Sequence, residues 1–130
     1  MTQTPIRIVA AVIRDVEGRL LTVRKAATTA FMLPGGKRDP GEDDAGALAR
    51  ELAEELGCVL VESRPLGVFS APAANEPDTQ VEGAIYLATI RGGVAARAEV
   101  AELLWIDPAA PPPVRLAPLL ETQVLPRLLS

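Results

Sequence analysis

Glu51, Glu54 and Glu55 crowd into five consecutive positions, with Arg50 directly before them and the glycine pair Gly35–Gly36 and Glu42 upstream. Placed on one helix, Glu51 and Glu55 are like charges at i,i+4, a pairing that costs roughly 0.2–0.5 kcal/mol, and Glu54 adds to the repulsion. A hard divalent cation relieves such crowding, because magnesium takes carboxylate oxygens and bridges them to phosphate oxygens. The chemistry suggested is therefore phosphoryl chemistry assisted by a metal. A solvated helix face laced by an Arg50–Glu54 pair accounts equally well for "RELAEELG" taken alone.

The preceding loop, "LPGGKRDPGE", tips the balance toward a site. It is neither a dinucleotide fingerprint nor a phosphate loop of the GxxxxGK[ST] kind, yet adjacent glycines let backbone approach a ligand closely. The loop brings Gly36 and Glu42 to the start of the acidic helix, and a backbone carbonyl such as that of Gly36 is a competent magnesium ligand.

The helix that must carry the glutamates is expected over Asp43–Leu56, with acidic residues at its N-terminus and Gly57 as its stop. Its apolar stripe reads Ala45, Leu48, Ala49, Leu52 and Leu56. Setting Glu51 at zero, Glu55 falls at about 40°, Glu54 at about −60° and the stripe near about 115°. The three carboxylates are thus expected on one flank of the buried face. Around the helix, strands are expected at Ile6–Val12 and Arg19–Lys25, joined across the "DVEG" turn at Asp15–Gly18. Two more are expected at Cys58–Glu62 and Pro65–Ala71, one at Val81–Ile90 and a short one near the end of Ala101–Asp107. Pro72–Gln80 reads as a polar loop, and Leu116–Leu125 as a final helix ended or bent at Pro126. This order predicts an α/β (α+β) domain, a mixed sheet covered by helices.

With 130 residues, 48% of them hydrophobic, the chain suits a single domain, 1–130, with a real core. A formal charge of −4 argues against a nucleic-acid-binding surface. One cysteine, Cys58, and no histidine exclude an intrachain disulfide, Cys/His zinc sites and histidine-dependent triads. The sequence shows neither a signal-peptide pattern nor a membrane-length apolar run, so a cytoplasmic location and no membrane partner are expected.

The segment resembles the signature of the Nudix (MutT-like) hydrolases, Gly-x5-Glu-x7-Arg-Glu-U-x-Glu-Glu-x-Gly-U with U apolar. It reads here Gly36, Glu42, Arg50, Glu51, Leu52, Glu54, Glu55, Gly57 and Cys58. Every fixed residue matches, and Cys58 in the last apolar position packs as a small hydrophobe. "FMLPGG" is similar to the family's entrance to the signature, with Phe31 where tryptophan is frequent, and "EVAELLWID" to its late acidic stretch. The resemblance implies a curved mixed β-sheet sandwiched between α-helices, with the signature as a loop–helix–loop.

It also implies hydrolysis of a nucleoside diphosphate linked to another group. Glu51, Glu54, Glu55 and the Gly36 carbonyl would hold Mg2+, with Mn2+ as a substitute; Arg50 would orient the carboxylates, and Glu42 would support the loop or reach a metal through water. The general base would be Glu51, Glu54 or a later carboxylate, Glu99 first and Glu102 second, with Glu82 as a weaker candidate. Substrate candidates are Lys37, Arg38, Arg24 and Arg7 for phosphate, Phe31 or Phe69 for base stacking, and Asn75 for a base edge; Tyr86 and Trp105 read as packing residues. The compact size and "LPGGK" resemble members that cleave nucleoside triphosphates to monophosphate and pyrophosphate. ADP-ribose or nucleotide-sugar hydrolysis is the rival, and a non-catalytic nucleotide-binding regulatory module is the alternative from another class. The expected partner is a small nucleotide, with no stable nucleic-acid partner; homodimers are common in the family.

Overall fold

The computed structural model describes residues 4–130. Strand β1, Ile6–Val12, sits inside a four-stranded sheet. It pairs antiparallel with the two-residue β3, Gly35–Gly36, and parallel with β5, Gln80–Arg91. Strand β4, Val59–Pro72, closes the other edge against β5, giving the order β3-β1-β5-β4. A separate antiparallel pair is formed by β2, Leu20–Lys25, and β6, Val100–Ile106. The sheet is therefore mixed, and helices flank it.

Alternation along β1 explains the two-sided core. Val9, Ala11 and Ile13 join the cluster that includes Leu48, Leu52 and Leu56 of helix α1, Asp44–Leu56. Ala10 and Val12 join the opposite cluster, with Leu119, Leu120, Val124 and Leu125 of the C-terminal segment. A strand buried on both faces reads as a continuous apolar run, as "IVAAVI" does.

Several expectations are corrected. The turn at Asp15–Gly18 forms, with the Asp15 carboxylate accepting from the backbone N–H groups of Glu17 and Arg19. The hairpin it should close survives only as an Arg14–Leu20 bridge; β2 then leaves to pair with β6. The two strands expected at Cys58–Glu62 and Pro65–Ala71 are one. Register shifts at Leu60/Glu62 and Pro65/Gly67 carry β4 through, and Pro65 is tolerated because β4 is an edge strand and the proline lies at a bulge.

The final helix starts later and runs farther than expected. A π-helical turn spans Leu119–Val124, with the Leu125 N–H reaching Leu120 O, and α2 follows at Leu125–Leu129. Pro126 lies in the first turn of α2, where its missing N–H is not needed. Leu116 instead bridges to Phe31.

Helix α1 is capped by Asp43, whose carboxylate accepts from the Gly46 N–H at 2.8 Å, and ends at Gly57, φ 75°. Its buried set is Ala47, Leu48, Leu52, Glu55 and Leu56, whereas Ala45 is exposed. On the same wheel this face centres near about 60°, roughly 55° closer to the glutamates than the leucine–alanine stripe suggested. Glu55 consequently sits inside the buried face and not on its flank.

Candidate active site

The glycine pair has two distinct jobs. A Cβ on Gly35, φ 151°, would lie 2.1 Å from Val9 O and 2.7 Å from Ala10 Cα, so glycine is what lets β3 lie against β1. A Cβ on Gly36 would lie 2.6–2.8 Å from the carboxylate atoms of Glu51. The strand thus presses its backbone directly against that carboxylate.

Arg50 ties loop to helix. Its Nε and Nη2 donate to the two oxygens of Glu42 at 2.9 and 2.8 Å, Nη1 donates to Glu51 at 2.8 Å, and Nη2 also donates to Lys37 O at 3.0 Å. This is a bidentate fork that lysine could not reproduce. The Arg50 hydrogen bonds, helped by the Asp39 N–H, hold the Glu42 carboxyl down to about 2. The Arg50 guanidinium is itself pushed upward by Glu42 first and Glu51 second.

Glu55 is only 4% exposed. One oxygen accepts from the Gly35 N–H at 3.0 Å; the other lies 3.5 Å from Lys25 Nζ. Burial raises its pKa, and Glu51 adds to the push; Lys25 and the Gly35 N–H oppose it but do not prevail. Glu54 differs again, its side chain 55% exposed and its nearest cation Arg50 Nη1 at 3.5 Å.

Glu51, Glu54, Glu55, Gly36 and Lys37 all line one cavity of about 530 Å3. Lys25, Asn75, Glu76 and Glu99 also line it, as do apolar residues including Ile8, Val81 and Leu119. The donors are hard oxygens of the kind a divalent cation takes. They share a wall without closing on one point: among the described residues no group of three acidic, histidine or cysteine side chains encloses a metal-sized space. Glu51 and Glu55 instead face the cationic groups of Arg50 and Lys25.

The other candidates are placed elsewhere. Arg24 pairs with Glu102 at 2.9 Å and donates to Thr28 O, away from the cavity wall. Arg38 pairs with Asp44, which also accepts from the Tyr86 hydroxyl. Phe31 is buried in the core, its backbone bonded to Arg115 and Ala117. Glu82 pairs with Arg7 at 3.0 Å. Phe69 and Trp105 pack against the two core clusters. Sequence reasoning passed over Lys25 and Glu76. The sequence held no local marker for the first, because the β2–β6 pairing shifts register between Arg24 and Lys25, where simple alternation does not apply.

Comparison with known proteins agrees with this architecture. The family described as "NUDIX domain" matches residues 4–127. The chain belongs to the Nudix family. A Bacillus subtilis (strain 168) protein described as "Putative 8-oxo-dGTP diphosphatase" is 33% identical over 96 residues, 72% of this chain. The match spans 61% of that relative's length. The crystal structure of a MutT Nudix hydrolase from Burkholderia pseudomallei superposes with a TM-score of 0.72 at 27% identity, covering 86% of this chain and 91% of that one. A MutT protein structure from Methanosarcina mazei Go1 gives 0.70 at 25% identity, covering 83% and 80%. Nudix membership implies the magnesium dependence typical of the family. Among the described residues no helix is long and apolar enough to cross a membrane.

Proposed function

We propose that this Nudix chain hydrolyses the pyrophosphate linkage of a nucleoside triphosphate, releasing a nucleoside monophosphate and pyrophosphate. The observation that carries the reading is the meeting of Glu51, Glu54, Glu55, Gly36 and Lys37 on one cavity wall. The description of the Bacillus relative favours a triphosphate over other diphosphates.

Glu51, Glu54, Glu55 and the Gly36 carbonyl would hold magnesium, with manganese as a substitute. When bound, the ion supplies positive charge that polarises phosphoryl oxygens and makes water a stronger nucleophile. Lys37 and Lys25 supply further positive charge for the phosphate chain. Arg50 is a positioning residue: its fork fixes Glu51 relative to the Lys37 backbone. Asn75 reaches the cavity wall and is assigned to the nucleoside end.

In the reaction, a water oxygen bonds to one bridge phosphorus while the bond from that phosphorus to the bridging oxygen breaks. The electron pair leaves with the departing phosphate group, and a carboxylate accepts the water proton. Glu99 is the proposed acceptor: it lines the cavity and is exposed. Among the described residues it makes no ion pair.

The test is a magnesium-dependent hydrolysis screen with product identification, covering ordinary and oxidised nucleoside triphosphates, ADP-ribose, nucleotide sugars and dinucleoside polyphosphates. Monophosphate plus pyrophosphate from a triphosphate is the expected result. Turnover confined to ADP-ribose or nucleotide sugars would displace the triphosphate, and inactivity on every compound would favour a binding module.

A further inference from the structure

A second cavity, of about 550 Å3, shares no lining residue with the first. Three arginines line it, Arg14, Arg64 and Arg127, together with one acid, Glu62. They come from separate parts of the fold. Arg64 lies opposite Leu87 on β5, and Leu87 lies opposite Val12 on β1, so the three residues form a row across three strands. Arg14 follows Val12 by two positions and keeps its face. Arg127 reaches in from α2, its guanidinium 5.7 Å from the centre of the Phe69 ring.

This grouping concentrates positive charge on one surface of an acidic chain. The chain carries a net charge of −4. Arg7, Arg19, Arg24, Arg38 and Arg50 each have a carboxylate within 2.5–3.0 Å. Arg14, Arg64 and Arg127 make no ion pair among the described residues; Arg91, Arg97 and Arg115 make none either, but only the first three are exposed together on one cavity wall. Three guanidinium charges less the one of Glu62 leave +2 at the cavity wall. Uncompensated like charges repel, and a phosphate, which carries about −1.5 to −2, cancels them as a single carboxylate does not. Guanidinium forks match phosphate oxygens bidentately.

We propose that this cavity is a second binding site for a phosphoanion, held by Arg14, Arg64 and Arg127. The anion can be free phosphate or the phosphate of a nucleotide; the apolar walls, Val12, Leu66, Leu87 and Leu128, can accommodate an uncharged remainder in the second case.

The experiment is calorimetric titration of the full chain in metal-free buffer at fixed ionic strength, with inorganic phosphate in one arm and AMP in the other. Saturable binding is expected in at least one arm; tighter AMP binding identifies the nucleotide source and equal affinity the free anion. Arg14→Ala/Arg64→Ala should weaken it by about tenfold or more, as expected for lost hydrogen bonds between charged groups. Arg91→Ala, which removes an arginine outside both cavities, should leave it unchanged. Arg14→Lys/Arg64→Lys keeps the charge and loses the fork, so it should also bind more weakly than the unaltered chain, and it serves if the alanine pair fails to fold. Undiminished affinity in the folded Arg14/Arg64 variants, loss of binding in Arg91→Ala, or no saturable binding up to about 10 mM would each overturn the proposal.

Discussion

Replacing each of the two adjacent glycines by alanine should break the protein in different ways. At Gly35 the new methyl meets backbone, 2.1 Å from Val9 O and 2.7 Å from Ala10 Cα, at a φ of 151° that side chains rarely adopt. Backbone paired in a sheet cannot yield cheaply, so the cost should reach or exceed the upper end of the roughly 1–3 kcal/mol typical of overpacking. For a domain of this size that lowers Tm by on the order of 10 °C. At Gly36 the atoms nearest the methyl are those of the Glu51 carboxylate, at 2.6–2.8 Å. That group ends a flexible side chain and can swing aside, leaving stability within about 1 kcal/mol of the parent. The displaced carboxylate, however, leaves the hydrogen bond from Arg50 and its place beside the Gly36 backbone. Gly36→Ala should therefore melt nearly as the parent does while losing affinity for Mn2+, followed by electron paramagnetic resonance, and losing turnover. Unimpaired ion binding in Gly36→Ala, or a parent-like Tm for Gly35→Ala, would refute the reasoning.

Two further substitutions test the charges. Glu55 has its pKa raised above the ordinary 4.5 by burial, so the folded state favours the protonated carboxyl at low pH and pays for ionising it as pH rises through the raised value. Metal-free Glu55→Gln should thus melt higher than the parent at pH 8, with the advantage shrinking toward pH 4; a pH-independent difference in melting would contradict this. Glu42 is the opposite case, depressed to about 2 by Arg50. Its stabilisation is present above pH 4.5 and lost as pH falls toward 2. Glu42→Gln should lower Tm at pH 7, and scans taken at successively lower pH should show the gap closing.

Much of this was legible in the chain because local signals agreed. Ile6–Val12 reads as a strand and is one. Asp43 and Gly57 punctuate the signature helix, and the spacing from Gly36 to Gly57 identifies the family. What was hidden depends on tertiary placement. Glu55 was assigned to a flank because a glutamate is ordinarily taken as solvated, yet the Gly35 N–H and Lys25 give it partners within the buried face. The continuity of β4 was hidden by Arg64–Pro65, since a bulge that absorbs a proline on an edge strand has no local sequence marker beyond the proline itself. Arg38 looked like a phosphate ligand because it follows the glycine pair, and Arg24 because a strand could project it toward substrate, but each has a carboxylate partner supplied by a distant or newly folded element. Lys25 was obscured by its neighbour Arg24, because choosing between them requires knowing the register with β6.

The most direct measurement concerns the acidic wall itself. Glu51→Gln/Glu54→Gln should fold, as judged by a cooperative melt, and should lose detectable Mn2+ binding together with about a thousandfold or more of magnesium-dependent nucleoside triphosphate turnover. A folded double variant that still binds the ion and still turns over the nucleotide at the parental rate would contradict the assignment of these carboxylates.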